Sequence, residues 1–146
     1  MLHFQFRIDF RYKTNLIIIN PEELKSRTKK FALRVIKLYK CLPKEKNAQV
    51  LGHQMFRSGT SVGANYRAAC RARSQADFIS KITIVEEEAD ETSYWIELLI
   101  ESGIMKKNLL ENLLNESNEL TAIFTASAET VKSKLSIPKS KIPNPK

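Results

Sequence analysis

Residues 20–135 predict an all-α fold, an antiparallel up-down-up-down four-helix bundle. Three observations carry that expectation. Four successive segments each repeat apolar residues at spacings of three and four, which gives each helix one face to bury. The connections between them are short, so sequential neighbours must run antiparallel. Glycine and proline are scarce, four and five among 146 residues, which disfavours a turn-rich β fold. A chain of this length can bury a core as one domain without staples.

Before the first helix the sequence alternates. Leu2, Phe4, Phe6, Ile8, Phe10 and Tyr12 fall on one side, and His3, Gln5, Arg7, Asp9 and Arg11 on the other. That period of two reads as a strand. The sequence reading finds it no partner strand within the chain. Residues 1–19 are therefore expected to be an atypical extension: a segment that pairs with another chain, a disordered one, or a stretch translated upstream of the true start. The last is preferred, because Asn20-Pro21-Glu22-Glu23 has the cap, the N1 proline and the acidic first turn of a natural helix start.

The first helix then spans about 21–42, with Leu24, Thr28, Phe31, Val35, Leu38 and Leu42 inward, and Pro43 stops it. Beside that stripe run Arg27, Lys30, Arg34 and Lys37. The second spans about 46–71. Leu51, Met55, Ser58, Val62, Asn65 and Ala69 form its inner line, flanked by Phe56, Gly59, Gly63, Tyr66 and Cys70. Each mid-helix glycine costs about 1 kcal/mol relative to alanine, so Gly59 and Gly63 imply the close approach of a neighbouring helix. Asn65 is expected to be buried and bonded across helices. The third helix starts at Ser74, where Asp77 completes a variant capping box. Phe78, Ile82, Val85, Ala89, Thr92, Ile96 and Leu99 then follow a coiled-coil-like pattern until Gly103. The fourth runs over about 106–134 with Leu110, Leu113, Ser117, Leu120, Phe124, Ser127 and Val131 inward. Residues 136–146, rich in lysine and proline, read as a disordered basic tail.

Net charge is +8 and unevenly spread. Residues 1–81 carry 17 Lys and Arg against five Asp and Glu, whereas 82–146 carry 7 against 11. That asymmetry points to an anionic partner or to head-to-tail contact between copies. Lys30, Arg34, Lys37, Arg67, Arg71 and Arg73 are the candidate nucleic-acid contacts, since phosphate binding needs cations at this density. No known base-reading module is visible. On the third helix Ile84, Tyr94, Trp95 and Leu98 lie off the core stripe, which makes them the candidate subunit interface.

Catalysis and metals find no support. The acidic run 86–91 lacks the Glu-x-x-His pairs of a di-iron bundle, and the only histidines are His3 and His53. No serine, threonine or cysteine has a histidine in helical register as a base, except through His53, which is placed where it serves none, and no phosphate loop is present. The chain is expected to be no enzyme, with no metal and no cofactor. Cys41 and Cys70 make no framework, and the expectation is reduced, buried thiols in a cytoplasmic protein. No apolar run could cross a bilayer or serve as a signal peptide.

The run RSGTSVGANYRAACRARSQADFISKITIVEEEADETSYWIELLIESG resembles the bacterial four helix bundle protein family, which includes proteins encoded in intervening sequences of large-subunit ribosomal RNA genes. The likeness is carried by the small-residue stretch Ser58–Asn65 and the block Glu88–Trp95. More distantly the chain is similar to the accessory protein of diversity-generating retroelements. The resemblance implies antiparallel bundles assembled as homopentamers, and, through the retroelement relative, binding of nucleic acid and of a nucleic-acid-processing protein. It maps helix packing to Gly59, Gly63 and Asn65 and the aromatic pair to Tyr94 and Trp95. It implies no catalytic residue. The expected function is a homo-oligomer, a pentamer, that binds RNA or DNA through its basic surface. The alternative is a protein-interaction scaffold whose charge asymmetry serves assembly.

Overall fold

The structure, a computed structural model, describes residues 8–12 and 15–136, with side chains from Ile19 onward. Four long helices follow a short hairpin: α1 (Pro21–Cys41), α2 (Lys46–Ala69), α3 (Gln75–Glu101) and α4 (Lys107–Leu135). The basic tail at 137–146 lies outside the described residues.

Helices α1 and α3 begin at side-chain caps, whereas α2 and α4 start after Glu45 and Lys106 with no side-chain capping bond. The Asn20 side chain accepts from the Glu23 N–H at 2.8 Å, with Pro21 in the first turn. Leu42 is extended ahead of Pro43, as the residue before proline prefers. At the start of α3 the Ser74 hydroxyl accepts from the Asp77 N–H at 3.0 Å, and Asp77 in turn accepts from the Arg73 N–H at 3.0 Å. The first bond is the N-cap that the sequence pattern implies; the second reaches back one residue past the position of a standard capping box, to Arg73 rather than Ser74. After α3, Gly103 turns left-handed at φ 76°, a conformation costly for other residues.

Contacts between successive helices fix their directions. A Cβ on Gly63 would meet Thr28, one on Gly59 would meet Val35, and one on Gly52 would meet Leu42. Positions descend along α2 as they rise along α1, so the two run antiparallel. The same holds for α3 and α4, which meet at Ser93–Ser117 and at Glu86–Thr125. The helices α1 and α4 close the bundle along a sparser seam. All seven stripe residues of α3 and all seven of α4 are buried. On α1 the stripe is buried except for Leu38, which packs partly against the core. Polar residues in the core are paired. Thr92 donates to Ser58 at 2.9 Å, Ser93 to Ser117 at 2.8 Å, and Ser117 to the Ala89 carbonyl at 2.9 Å.

Three expectations are corrected. The strand does have a partner: β1 (Ile8–Tyr12) pairs antiparallel with β2 (Asn15–Ile19), Ile8 opposite Ile19 and Tyr12 opposite Asn15. The β-branched run Ile17-Ile18-Ile19 supplies it. A lone hairpin is marginal, but β1 lies against α4 and Ile19 joins the core. Asn65 does not bond across helices. It is half-buried, and its Nδ2 donates to the Ser61 carbonyl of its own helix at 2.9 Å. The inter-helix polar contacts fall instead to the smaller hydroxyls, which fit between closely packed backbones. Cys41, at the end of α1, is exposed, and Cys70 is half-buried with its thiol pushed up by burial.

Candidate nucleic-acid interface

Two arginines are committed to holding the bundle together. Arg27 of α1 donates from Nε and Nη2 to both carboxylate oxygens of Glu116 at 2.7 and 2.9 Å, and Nη2 lies 3.0 Å from Glu119. This fork clamps α1 to α4 along their sparse seam. The Glu116 hydrogen bond holds the guanidinium well above its ordinary value, against the opposing effect of burial. Arg57 of α2 plays a similar part toward α3, hydrogen-bonded to Glu91 and 3.5 Å from Glu88. Burial works to raise the Glu91 carboxyl, but hydrogen bonds from the Trp95 indole, at 3.0 Å, and from Arg57 bring it below the usual range. Burial pushes Glu88 the other way, and its Oε2 has no hydrogen-bond partner. The acidic run is therefore only partly a solvated face: Glu87 and Asp90 are exposed, while Glu88 and Glu91 are tied to α2.

The six candidate phosphate contacts are all exposed, and among the described residues none has a carboxylate within salt-bridge range. The fold separates them into two groups. Lys30, Arg34 and Lys37 share the face of α1 that turns toward α4. Arg34 and Lys37 rim a groove of about 790 Å³ with Leu38, Met105, Leu109 and Leu113. Arg67, Arg71 and Arg73 gather around the C-terminal end of α2. Arg67 borders a groove of about 620 Å³ between α1 and α2, together with Lys25, Lys29 and a floor of Ala32, Thr60, Gly63 and Ala64. Arg71 and Arg73 line a concavity of about 610 Å³ at the α2–α3 turn with Ala68, Asp77 and Lys81. Lys81 bonds Asp77 at 2.7 Å and, with the Arg73 N–H, holds that carboxyl below its usual range.

Sequence reasoning missed Lys25, Lys29 and Lys81. The i, i+4 spacing of the first two was visible, but only the packing of α1 on α2 brings them beside Arg67.

The four interface candidates are not equivalent. Ile84 is 41% and Tyr94 52% exposed, whereas Leu98 is half-buried. Trp95 packs against the core of its own chain, with Tyr94 edge-on at 5.0 Å. Gly59 and Gly63 both face α1: a Cβ at Gly59 would stand 2.8 Å from a Val35 methyl, and one at Gly63 3.4 Å from the Thr28 carbonyl carbon. Among the described residues no group of His, Cys, Asp and Glu could hold a metal ion, and no helix is long and apolar enough to cross a membrane.

Fold and surface together define a four-helix bundle of net positive charge whose functional groups lie on its outer faces. The chain belongs to the 23S rRNA-intervening sequence protein family, whose model matches residues 22–126. It is similar to a crystal structure from Bacteroides thetaiotaomicron, described as a protein with unknown function from the S23 ribosomal protein family. The two are 39% identical, with a TM-score of 0.69, over 75% of this chain and 97% of that one. No curated protein matches.

Proposed function

We propose that this chain is a non-enzymatic, cytoplasmic homo-oligomer, a pentamer, that binds RNA through its unpaired surface cations. One observation carries the reading. The arginines that serve the fold, Arg27 and Arg57, are neutralised by carboxylates, while Lys30, Arg34, Lys37, Arg67, Arg71 and Arg73 stand exposed without one among the described residues. Unpaired cations at this density raise non-specific affinity for phosphates and repel one another otherwise. The family description, which ties its members to 23S rRNA intervening sequences, supports RNA as the nucleic acid. The exposed Ile84 and Tyr94 support a subunit interface on α3, and the resemblance to pentameric bundles supports five copies.

Sedimentation of the protein with and without a structured ribosomal RNA fragment tests this. A defined oligomer that shifts onto RNA, less so as salt rises, is the expected result. An oligomer that ignores RNA at low salt would overturn RNA binding.

A second reading, an assembly scaffold without nucleic acid, draws on the outward acids of α3. Glu87, Asp90, Glu97 and Glu101 are exposed with no cation partner among the described residues. Charge reversal at Arg67 and Arg71 separates the two. Loss of RNA affinity with the oligomer intact supports the first reading; loss of the oligomer supports the second.

A further inference from the structure

We propose that the two concavities flanking the last two turns of α2 form one track, and that this track takes the sugar–phosphate backbone of a double-helical nucleic acid. The inference rests on the RNA-binding reading and specifies where and what it binds. Each concavity sets three cations against one carboxylate: Lys25, Lys29 and Arg67 against Glu22 on the α1 side, and Arg71, Arg73 and Lys81 against Asp77 on the α3 side. Both carboxylates are already engaged, Glu22 by Lys25 at 2.8 Å and Asp77 by Lys81 at 2.7 Å. The ridge between the concavities is the outer face of the end of α2, with Ala64, Arg67 and Ala68, and Arg71 follows just past the helix end. Its alanines leave the ridge low between the two arginines. The large side chains on the ridge are the two arginines themselves, so a backbone crossing from one concavity to the other would meet cations there.

The chemistry of the lining selects the form of nucleic acid. Proteins that hold single strands without sequence preference stack bases on aromatic rings within a basic groove. Neither concavity is lined by an aromatic residue, and both are floored or edged by small residues. Bases splayed from a single strand would find nothing to stack on. Phosphates displayed on the outside of a duplex would find an excess of cations, the two carboxylates being already paired with Lys25 and Lys81, the arrangement that reads backbone and shape.

Fluorescence anisotropy decides the matter with two probes, an RNA duplex of about 20 base pairs and an oligo(U) strand of about the same length, over a salt series. The duplex is expected to bind more tightly at equal salt. A K29Q/R67Q/R71Q variant should lose about tenfold or more in duplex affinity and flatten the log–log salt slope by about 3. A K106Q/K107Q variant, which removes charge at the far end of the bundle, should stay within about twofold. Circular dichroism establishes that both variants fold. Equal affinity for the two probes would overturn the duplex assignment. An equal loss in the K106Q/K107Q variant would overturn the track and leave a diffuse net-charge effect. Binding of neither probe would overturn the RNA-binding reading itself.

Discussion

Replacing Arg27 with glutamine should destabilise the fold more than any other single loss of surface charge on α1. Its guanidinium makes two hydrogen bonds to Glu116, at 2.7 and 2.9 Å, and an ion pair to Glu119 at 3.0 Å. The three side chains are 26%, 19% and 32% exposed, between the surface and buried regimes. Exposed pairs contribute 0–1 kcal/mol, and breaking a fully buried pair costs about 3–5 kcal/mol. The loss here is placed at about 1.5–3 kcal/mol, because two carboxylates are left facing each other without a cation across the weakest seam. For a domain of this size that is a fall of about 5–10 °C in Tm. Urea midpoints measure it at one protein concentration, since an oligomer's stability depends on concentration. Arg34→Gln, on the same helix but unpaired, should stay within about 0.5 kcal/mol of the parent. A cycle with Glu116→Gln should return a coupling of about 1–2 kcal/mol. An R27Q midpoint matching that of R34Q, or a coupling near zero, would refute the clamp.

Three other outcomes are expected. Gly59→Ala brings a methyl within 2.8 Å of fully buried, β-branched Val35; overpacking of about 1–3 kcal/mol outweighs the roughly 1 kcal/mol gained in helix propensity, and V35A should restore stability in the double variant, read by thermal melts. Glu91→Gln and Glu88→Gln should move stability in opposite directions at pH 7. Glu91 titrates below its ordinary value, so its stabilisation is present above the unfolded pKa and is lost as pH falls through the folded one. Glu88 titrates above, so its ionised form costs stability at neutral pH and the cost vanishes in acid. E91Q should therefore lower the urea midpoint and E88Q raise it, the E88Q difference closing as pH falls from its raised folded value toward the ordinary one and the E91Q difference closing only further into acid; shifts of the same sign would contradict the assignment. Ile84→Glu with Tyr94→Glu should convert the oligomer to smaller species in sedimentation while leaving helical content intact, and an unchanged oligomer would remove that face from the interface.

The parts of the fold that periodicity encodes were legible. The stripe of α3 could be read residue by residue, because burial on one helix depends only on angular position about its own axis. Features that depend on a second element were not. The hairpin escaped because Leu16 to Ile19 is apolar throughout and carries no alternation to mark it as a strand, although its β-branched content was there to be seen. Trp95 sits off the α3 stripe by angle, and its packing against the core and its hydrogen bond to Glu91 one turn back on α3 could not be read from angle. Lys25 and Lys29 were passed over in favour of Lys30, Arg34 and Lys37, since sequence shows neighbours within a helix and not across one.

The outer face of α2 shows how packing decides which cations remain available. Arg57 and Ala64 are spaced by seven on one line along the helix, and Arg71 follows at the same spacing just past its end. Arg57 faces Glu88 and Glu91 across the α2–α3 seam and is consumed as a clamp. Two turns of chain later Ile84 replaces a carboxylate at the matching height of α3, and near Arg71 the one acid, Asp77, is held by Lys81 and the Arg73 N–H. The same residue type thus serves the fold at one end of the helix and is free at the other. What separates them is where the acidic run falls along α3. Moving a carboxylate to the level of Arg71, as in Ala68→Glu, would place a partner one turn away on α2 itself. It should lower RNA affinity without removing a single cation, and binding that persists at the parent level would show that the free end of α2 is not where phosphates bind.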